Sequence, residues 1–357
     1  MAKQCKKCGV PPTIHKTHVW RDGCIVDKGN GAANFCVYEA SFHNDLMDKV
    51  GDHLWLPMDD VVFNVGRHAS TRVIRDLLSS HPLMERIAFK APFYHLSQQI
   101  LVDFGKAMGT GDIEILEHRK GKYGSLIVRA PYNPAHGKAI IAGAIDAVYG
   151  YPVCSSINEE ADSFTLELVP DREDVKTLET FSLLTAAGLA PQKLEPGYEM
   201  PTCKRCGTPL VIGDSYDFDI EKGVITEKAS GERTVFIWVY SLNAIIREFG
   251  KELGQDIEDL FIAVERENFA RKLSKTLWNE DLWGEDRIRQ YLAQRGLGML
   301  HEVYIDGDKI SFMVKNSFIA PIVTGRLLAL WEREHQADAS YKHTVINDNL
   351  KLTITPK

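Results

Sequence analysis

Cys5-Lys6-Lys7-Cys8-Gly9 near the start of the chain and Cys203-Lys204-Arg205-Cys206-Gly207 at its middle are one knuckle written twice, 198 residues apart. A repeat at fixed offset signals a duplicated unit, so the residues that follow each knuckle should correspond as well. They do. At an offset of 199, Val50-Gly51 matches Phe249-Gly250, Leu54 matches Leu253, Met58 matches Ile257, Asp60 matches Asp259 and Arg67 matches Arg266. Near 186, Leu126-Ile127-Val128-Arg129-Ala130-Pro131-Tyr132 aligns with Phe312-Met313-Val314-Lys315-Asn316-Ser317-Phe318, and the strands ending at Pro170 and Pro356 close the two units. The shared order of knuckle, helix block, Gly-x-Gly turn (Gly109 to Gly111, Gly296 to Gly298) and terminal strand predicts two tandem domains, residues 1–170 and 203–357. Residues 171–202 read as a linker, with a helical pattern over 175–187 ahead of a Pro/Gly-rich segment.

Within each unit the patterns change in the same sequence. Thr13 to Val26 alternates about the turn Arg21-Asp22-Gly23, and Tyr216 to Thr226 alternates about Glu221-Lys222-Gly223, which predicts a small β element after each knuckle. Helical periodicity follows over about 58–79 and 257–277, then near 92–108 and 284–295, stopping at glycine. Strands flank Lys120-Gly121-Lys122 and Asp306-Gly307-Asp308, and a helix over 138–148 or 322–332 precedes the last strand. The expected fold is α+β: two copies of an antiparallel sheet packed with helices, arranged as an internal pseudo-dimer.

At 357 residues, with 44% hydrophobic and 25% charged residues, the chain has the composition of an ordinary globular protein with two cores. Formal charge is about −4 before residue 200 and −3 after it, so neither copy carries the positive excess that phosphate neutralisation needs, and nucleic acid is not the expected partner. No apolar run approaches the ~20 residues of a membrane span, and Met1-Ala2-Lys3-Gln4-Cys5 lacks the apolar core of a secretory signal. A cytoplasmic protein is expected, where seven cysteines stay reduced.

Cys-x-x-Cys-Gly brings two thiolates to one ion and turns backbone amides towards the sulfurs. Two such knuckles admit three arrangements. Cys5, Cys8, Cys203 and Cys206 can share one tetrahedral zinc; each knuckle can hold its own ion, with Cys24 and Cys36 completing the first; or the sulfurs can serve an iron–sulfur cluster or a redox dithiol. The shared structural zinc is the simplest that explains both knuckles, because Cys24 and Cys36 have no cysteine counterparts in the second copy. A site closed by four thiolates has no open position for hydrolysis.

The run Phe104-Gly105 through Gly109-x-Gly111, the strand ending Val128-Arg129-Ala130-Pro131-Tyr132, Ala142-Gly143-Ala144 in a helix and a terminal strand after Cys154 resembles the 4-vinyl reductase domain, also called the hydrocarbon-binding domain. The second copy, with Val314-Lys315-Asn316-Ser317-Phe318 and Gly325, is similar to a more diverged member. The resemblance implies an α+β fold shared with Golgi transport-particle subunits, paired, with an apolar pocket that serves sensing or accessory roles. Such members carry a cysteine pair near the C-terminal strand. Here Cys154 fits the first position, while Asp162 stands at the second.

Nine of the twelve histidines fall in the first copy, which places the expected ligand site there. His68 and His95 lie among apolar and aromatic residues; with Phe93, Tyr132 and Cys154 they form the expected wall of a pocket for a small hydrophobic or aromatic ligand. Gly105 to Gly111 lacks the Gly-Lys-Ser/Thr order of a phosphate loop and reads as a helix stop and turn. The functional expectation is a zinc-stapled binding module that passes its ligand state to a protein partner. The alternatives are an enzyme or enzyme subunit acting on such a molecule, and a non-catalytic scaffold.

Overall fold

The computed structural model describes residues 4–29, 31, 33–55, 57–79, 94–119, 123–149, 153–170, 194–243, 246, 256–275 and 283–357. The expected helix over 175–187, the turn at 120–122 and Phe93 lie outside the described residues.

After each knuckle a proline sets the backbone for one short helix: α1 (Pro12–Thr17) with Pro at its first turn, and later α6 (Leu210–Ser215) after Pro209. The first of these corrects the sequence reading, which took Thr13 onward as strand. Strands β1 (His18–Arg21), β2 (Cys24–Asp27) and β3 (Ala33–Glu39) follow α1; β8 (Tyr216–Asp219), β9 (Val224–Glu227) and β10 (Arg233–Trp238) follow α6. These six make one antiparallel sheet in the order β1-β2-β3-β10-β9-β8. The order is a palindrome: matching β1 with β8, β2 with β9 and β3 with β10 turns the sheet into itself. Its centre is the antiparallel pair β3–β10, in which Val37 faces Phe236.

The remainder of each half builds a lobe. In the first, α2 (Ala40–Leu54), α3 (Met58–Ser79) and α4 (Tyr94–Ala107) precede β4 (Asp112–Arg119), β5 (Tyr123–Arg129), α5 (Pro134–Tyr149), β6 (Val153–Glu160) and β7 (Ser163–Pro170). In the second, a helical stretch begins at Val239 and leads through α7 (Asp256–Lys275) and α8 (Glu285–Gln294). Then come β11 (Met299–Asp306), β12 (Lys309–Lys315), α9 (Ala320–His335), β13 (Ala339–Ile346) and β14 (Asn349–Pro356). The lobe sheets run β4-β5-β7-β6 and β11-β12-β14-β13, antiparallel throughout and identical in connectivity. The architecture is therefore α+β with antiparallel sheets.

Glycines set the closest approaches. A Cβ on Gly143 of α5 would collide with the Arg67 carbonyl oxygen of α3, and one on Gly325 of α9 would lie 2.7 Å from the Ile262 oxygen of α7. Each lobe thus has one helix pair packed backbone to backbone. The Gly-x-Gly turns act between halves. Gly298 N–H donates to Gly23 O at 3.0 Å, and a Cβ on Gly223 would collide with Gly111. In the same way, Val37 N–H donates to Arg295 O and Phe236 N–H to Met108 O, both at 2.9 Å. Each turn therefore seats the hairpin of the opposite half and satisfies a backbone donor at the sheet centre.

Candidate functional site

Two sites stand out, one of sulfur and one of space. In each knuckle a backbone loop closes through Gly9 N–H to Cys5 O or Gly207 N–H to Cys203 O, both 2.8 Å. The two glycines adopt φ of +72° and +78°, a left-handed turn that a side chain would strain. The knuckles face each other. Sγ of Cys5 lies 4.0 Å from that of Cys203, Cys8 lies 3.4 Å from Cys206, and all four sulfurs fall within 4.8 Å of one another. A tetrahedron of sulfurs at ~2.3 Å from one ion has edges of ~3.8 Å, so the group fits a shared metal ion.

The electrostatics suit a cation. Burial pushes the Cys5 thiol up, but the Lys7 and Cys8 amides outweigh it and hold it at about 6. Hydrogen bonds from the Arg205 and Cys206 amides likewise lower Cys203. Burial and the neighbouring sulfurs push Cys8 up, so four thiolates need a cation among them. Lys6, Lys7, Lys204 and Arg205 stand exposed beside the group, against the net negative charge of a divalent ion with four thiolates. Cys24 and Cys36 do not join this group. Both are buried in the main core, with Cys24 Sγ 3.8 Å from Asn316 O. His18, beside the first knuckle, turns its Nδ1 to Thr17 Oγ1 at 2.7 Å and its ring edge to Phe35.

The second site is an apolar cavity of about 110 Å³ in the first lobe, lined by residues of α3, α4 and α5 and of the strands β4, β5 and β7. Its wall includes Ile74, Val102, Phe104, Ile113, Leu126, Ile141 and Leu168, with Ser70, Gln98, Glu117, His118 and Ser125 as its polar members. Trp238, from β10 of the other half, completes the wall. Its indole Nε1 is buried with no hydrogen-bond partner among the described residues. Such an unpaired donor costs about 1–3 kcal/mol.

The space exists because small residues surround it. Strands β5 and β12, helices α5 and α9, and strands β7 and β14 are equal in length and offset by 186 residues, while α4 and α8 end 187 apart. On those offsets, and 199 for α3, Ser70, Gly105, Gly124, Leu126, Ala144 and Ile145 correspond to Phe269, Leu292, Ile310, Phe312, Leu330 and Trp331. Every change is to a larger side chain, and all six larger residues are buried.

Two further correspondences change the chemistry. Trp238 and Ile140 of the cavity wall correspond to Glu39 and Arg326, which belong to a buried ionic network on the second-lobe side. Glu39 accepts from Lys272 and Arg326, each at 2.5 Å, and lies 3.0 Å from Arg295. Glu265 pairs with Arg326 at 2.6 Å and accepts from the Tyr38 hydroxyl. Glu227 pairs with Lys272 at 2.6 Å and with Arg295. Three carboxylates meet three cations, so the network is neutral. Burial alone would raise Glu39, but Arg295, Arg326 and Lys272 hold it well below the usual carboxylate range.

The expected wall residues are dispersed. Tyr132 does not line the cavity; it is buried in the main core, its hydroxyl bonded to His136 Nδ1. It sits there because Ala130, at φ +46°, turns the chain after β5 away from the sheet. His68 is half-buried on α3 outside the cavity wall, its pKa lowered by burial and by Arg67. His95 lies on α4 and Cys154 on β6 opposite Val169, but their side chains fall outside the described residues. The sequence reading passed over His43 and His136, which stack 5.3 Å apart beside Tyr132. Burial lowers both, His43 to about 4, so both rings are neutral at pH 7. No helix among the described residues is long and apolar enough to cross a membrane. Comparison with protein-family models, with curated proteins and with solved structures returns no match for this chain.

Proposed function

We propose that this chain is a binding module for a small apolar molecule, built from two copies of one unit paired as an internal pseudo-dimer and stapled by a structural zinc ion. The observation that carries the ligand reading is the first-lobe cavity, kept open by small residues where the second lobe is filled. An apolar lining favours apolar guests; a cavity of ~150 Å³ accommodates benzene, so about 110 Å³ suits a slightly smaller ring or branched chain. The resemblance to hydrocarbon-binding domains points the same way. Zinc is the proposed ion because four thiolates at these separations match its tetrahedral preference and close the site to substrate. The staple joins residues 198 apart in sequence and fixes how the halves face each other. No catalytic step is proposed. Binding with transfer of the ligand state through protein contacts accounts for both features.

Cyclopentane is a suitable probe. Isothermal titration and ligand-observed NMR should show saturable binding of one molecule per chain, and absence of binding rejects the ligand reading. Elemental analysis should find one zinc per chain, lost equally in Cys5→Ser and Cys203→Ser. Two zincs, or iron with acid-labile sulfide, rejects the staple.

A further inference from the structure

Beside the first knuckle the surface opens into a groove of about 740 Å³ along the edge strand β8, where Asp214, Asp217, Asp219 and Glu221 stand against Lys7 and Lys228. Asp217 pairs with Lys228 at 3.4 Å and Asp219 with Lys222 at 3.2 Å, both in exposed settings where such pairs hold little. Asp214 and Glu221 have no ion pair among the described residues. The strand edge already receives an amide, since Gln4 Nε2 donates to Phe218 O at 2.7 Å. The opposite edge of the same sheet shows what such a surface can hold. Helices α1 and α6, like strands β1 and β8, are equal in length and 198 residues apart, so the surface beside β1 is the counterpart of this groove. A segment of the chain itself crosses it. Residues 194–201 form neither helix nor strand; Gly197 N–H donates to Asp22 Oδ1 at 2.9 Å, and Met200 packs against the cluster that holds Ile14 and Trp20. Asp22 corresponds to Ile220, which lines the groove. Asn316 clips the segment to the hairpin, its Nδ2 donating to Glu195 O at 3.1 Å and to Asp22 O at 2.9 Å.

We propose that the groove along β8 receives an irregular, Lys- or Arg-bearing peptide segment of a partner protein, as the surface beside β1 receives residues 194–201. The resident segment identifies the occupant as peptide. Charge then sets its sign. Residues 194–202 carry Glu195 and Glu199 and no Lys or Arg, and they lie on a hairpin that has Lys16, Val19 and Arg21 where the open groove has Asp214, Asp217 and Asp219. The same positions, turned from basic or neutral to acidic, match a segment of the opposite charge, and charges at the rim of a contact govern encounter and the choice of partner. The groove shares no residue with the first-lobe cavity, so the inference stands whether or not the cavity takes a ligand.

The probe is a fluorescein-labelled peptide with the sequence of residues 194–202 carrying Glu195→Lys and Glu199→Lys, titrated against the full-length protein and read by anisotropy. Saturable binding of one peptide per chain is expected, at least about tenfold tighter than that of the unaltered acidic peptide. Asp214→Lys combined with Asp217→Lys, both at exposed positions, should weaken the lysine peptide about tenfold. In the wild-type protein the backbone amide resonances of Asp217, Phe218 and Asp219 should move on adding the lysine peptide. Absence of binding, equal binding of the acidic peptide or of a scrambled lysine peptide, or undiminished binding by the double variant overturns the inference and leaves the cavity reading untouched. If the double variant does not fold, the wild-type amide shifts decide, and shifts confined to elements other than β8 and the first knuckle overturn it.

Discussion

Above the sheet β4-β5-β7-β6 the first lobe keeps an apolar space of about 110 Å³, whereas the corresponding volume in the second lobe holds Phe312, Leu330 and Trp331. Where the first lobe has Ile140 and Trp238 at the cavity, the second has Arg326 and Glu39 in a closed ionic network. At about 24 cal/mol per Å³, a void of that size forgoes about 2–3 kcal/mol of packing. The comparison teaches how a duplicated fold divides its tasks. One copy keeps a destabilising space, which the proposed function gives to a ligand; the other fills the corresponding volume with larger buried side chains.

The comparison can be broken most forcefully at Arg326. Arg326→Ile, which installs the first-lobe residue, leaves Glu39 and Glu265 short of a cation in a fully buried setting. It should cost about 3–5 kcal/mol in urea unfolding, and a loss under 1 kcal/mol shows that the network is not structural. Trp331→Ile should cost about 2–3 kcal/mol and open a second cavity. If the second lobe is a filled copy of the first, cyclopentane then binds with a stoichiometry of two; a stoichiometry of one disproves the correspondence.

Acid tests the network reversibly. Glu39 and Glu227 are held below the ordinary carboxylate range by their cations, despite burial. Their contribution is whole above the unfolded value near 4.3 and is lost as pH falls below it. Glu265 runs the other way, since burial raises it and its contribution fades as pH rises. Through Glu39 and Glu227 stability should decline as pH falls below about 4.3, and Glu39→Gln should flatten that decline. An unchanged slope of urea midpoint against pH would remove Glu39 from the account. The smallest effect on stability is expected from Ile145→Trp, which fills the first cavity with the second-lobe residue. Filling and overpacking oppose each other, leaving stability within about 1 kcal/mol. Cyclopentane binding should nonetheless fall at least about tenfold, and retained affinity places the ligand elsewhere.

Different parts of this picture were legible to different degrees. The four-cysteine group could be read directly, because a Cys-x-x-Cys-Gly turn is local and its partner is a copy of itself. The seam β3–β10 was not. Phe35 to Tyr38 and Val235 to Trp238 are short apolar runs without alternation, and each strand's partner lies 199 residues away. A pocket in the first lobe was expected, but the residues that line it escaped for another reason. Gly105 and Ala144 are unremarkable in their own helices and become informative only beside Leu292 and Leu330. Lys272 and Glu265 lie on α7 among other charged residues, and only the fold shows that they are buried. Tyr132 and His68 failed as wall residues because aromatic neighbours in sequence do not tell which side of a helix or turn faces a cavity.

The central seam also has a consequence for synthesis. Strand β3 ends at Glu39 and its partner β10 begins at Arg233, so a ribosome adding about 5–20 residues per second exposes one well before the other. For roughly 10–40 seconds the nascent chain carries Phe35, Val37 and Tyr38 on an open strand edge. A second nascent chain on the same message offers an identical edge, and the pairing centred on Val37 would let two first halves join there. Slow translation through the 171–202 segment would lengthen that window.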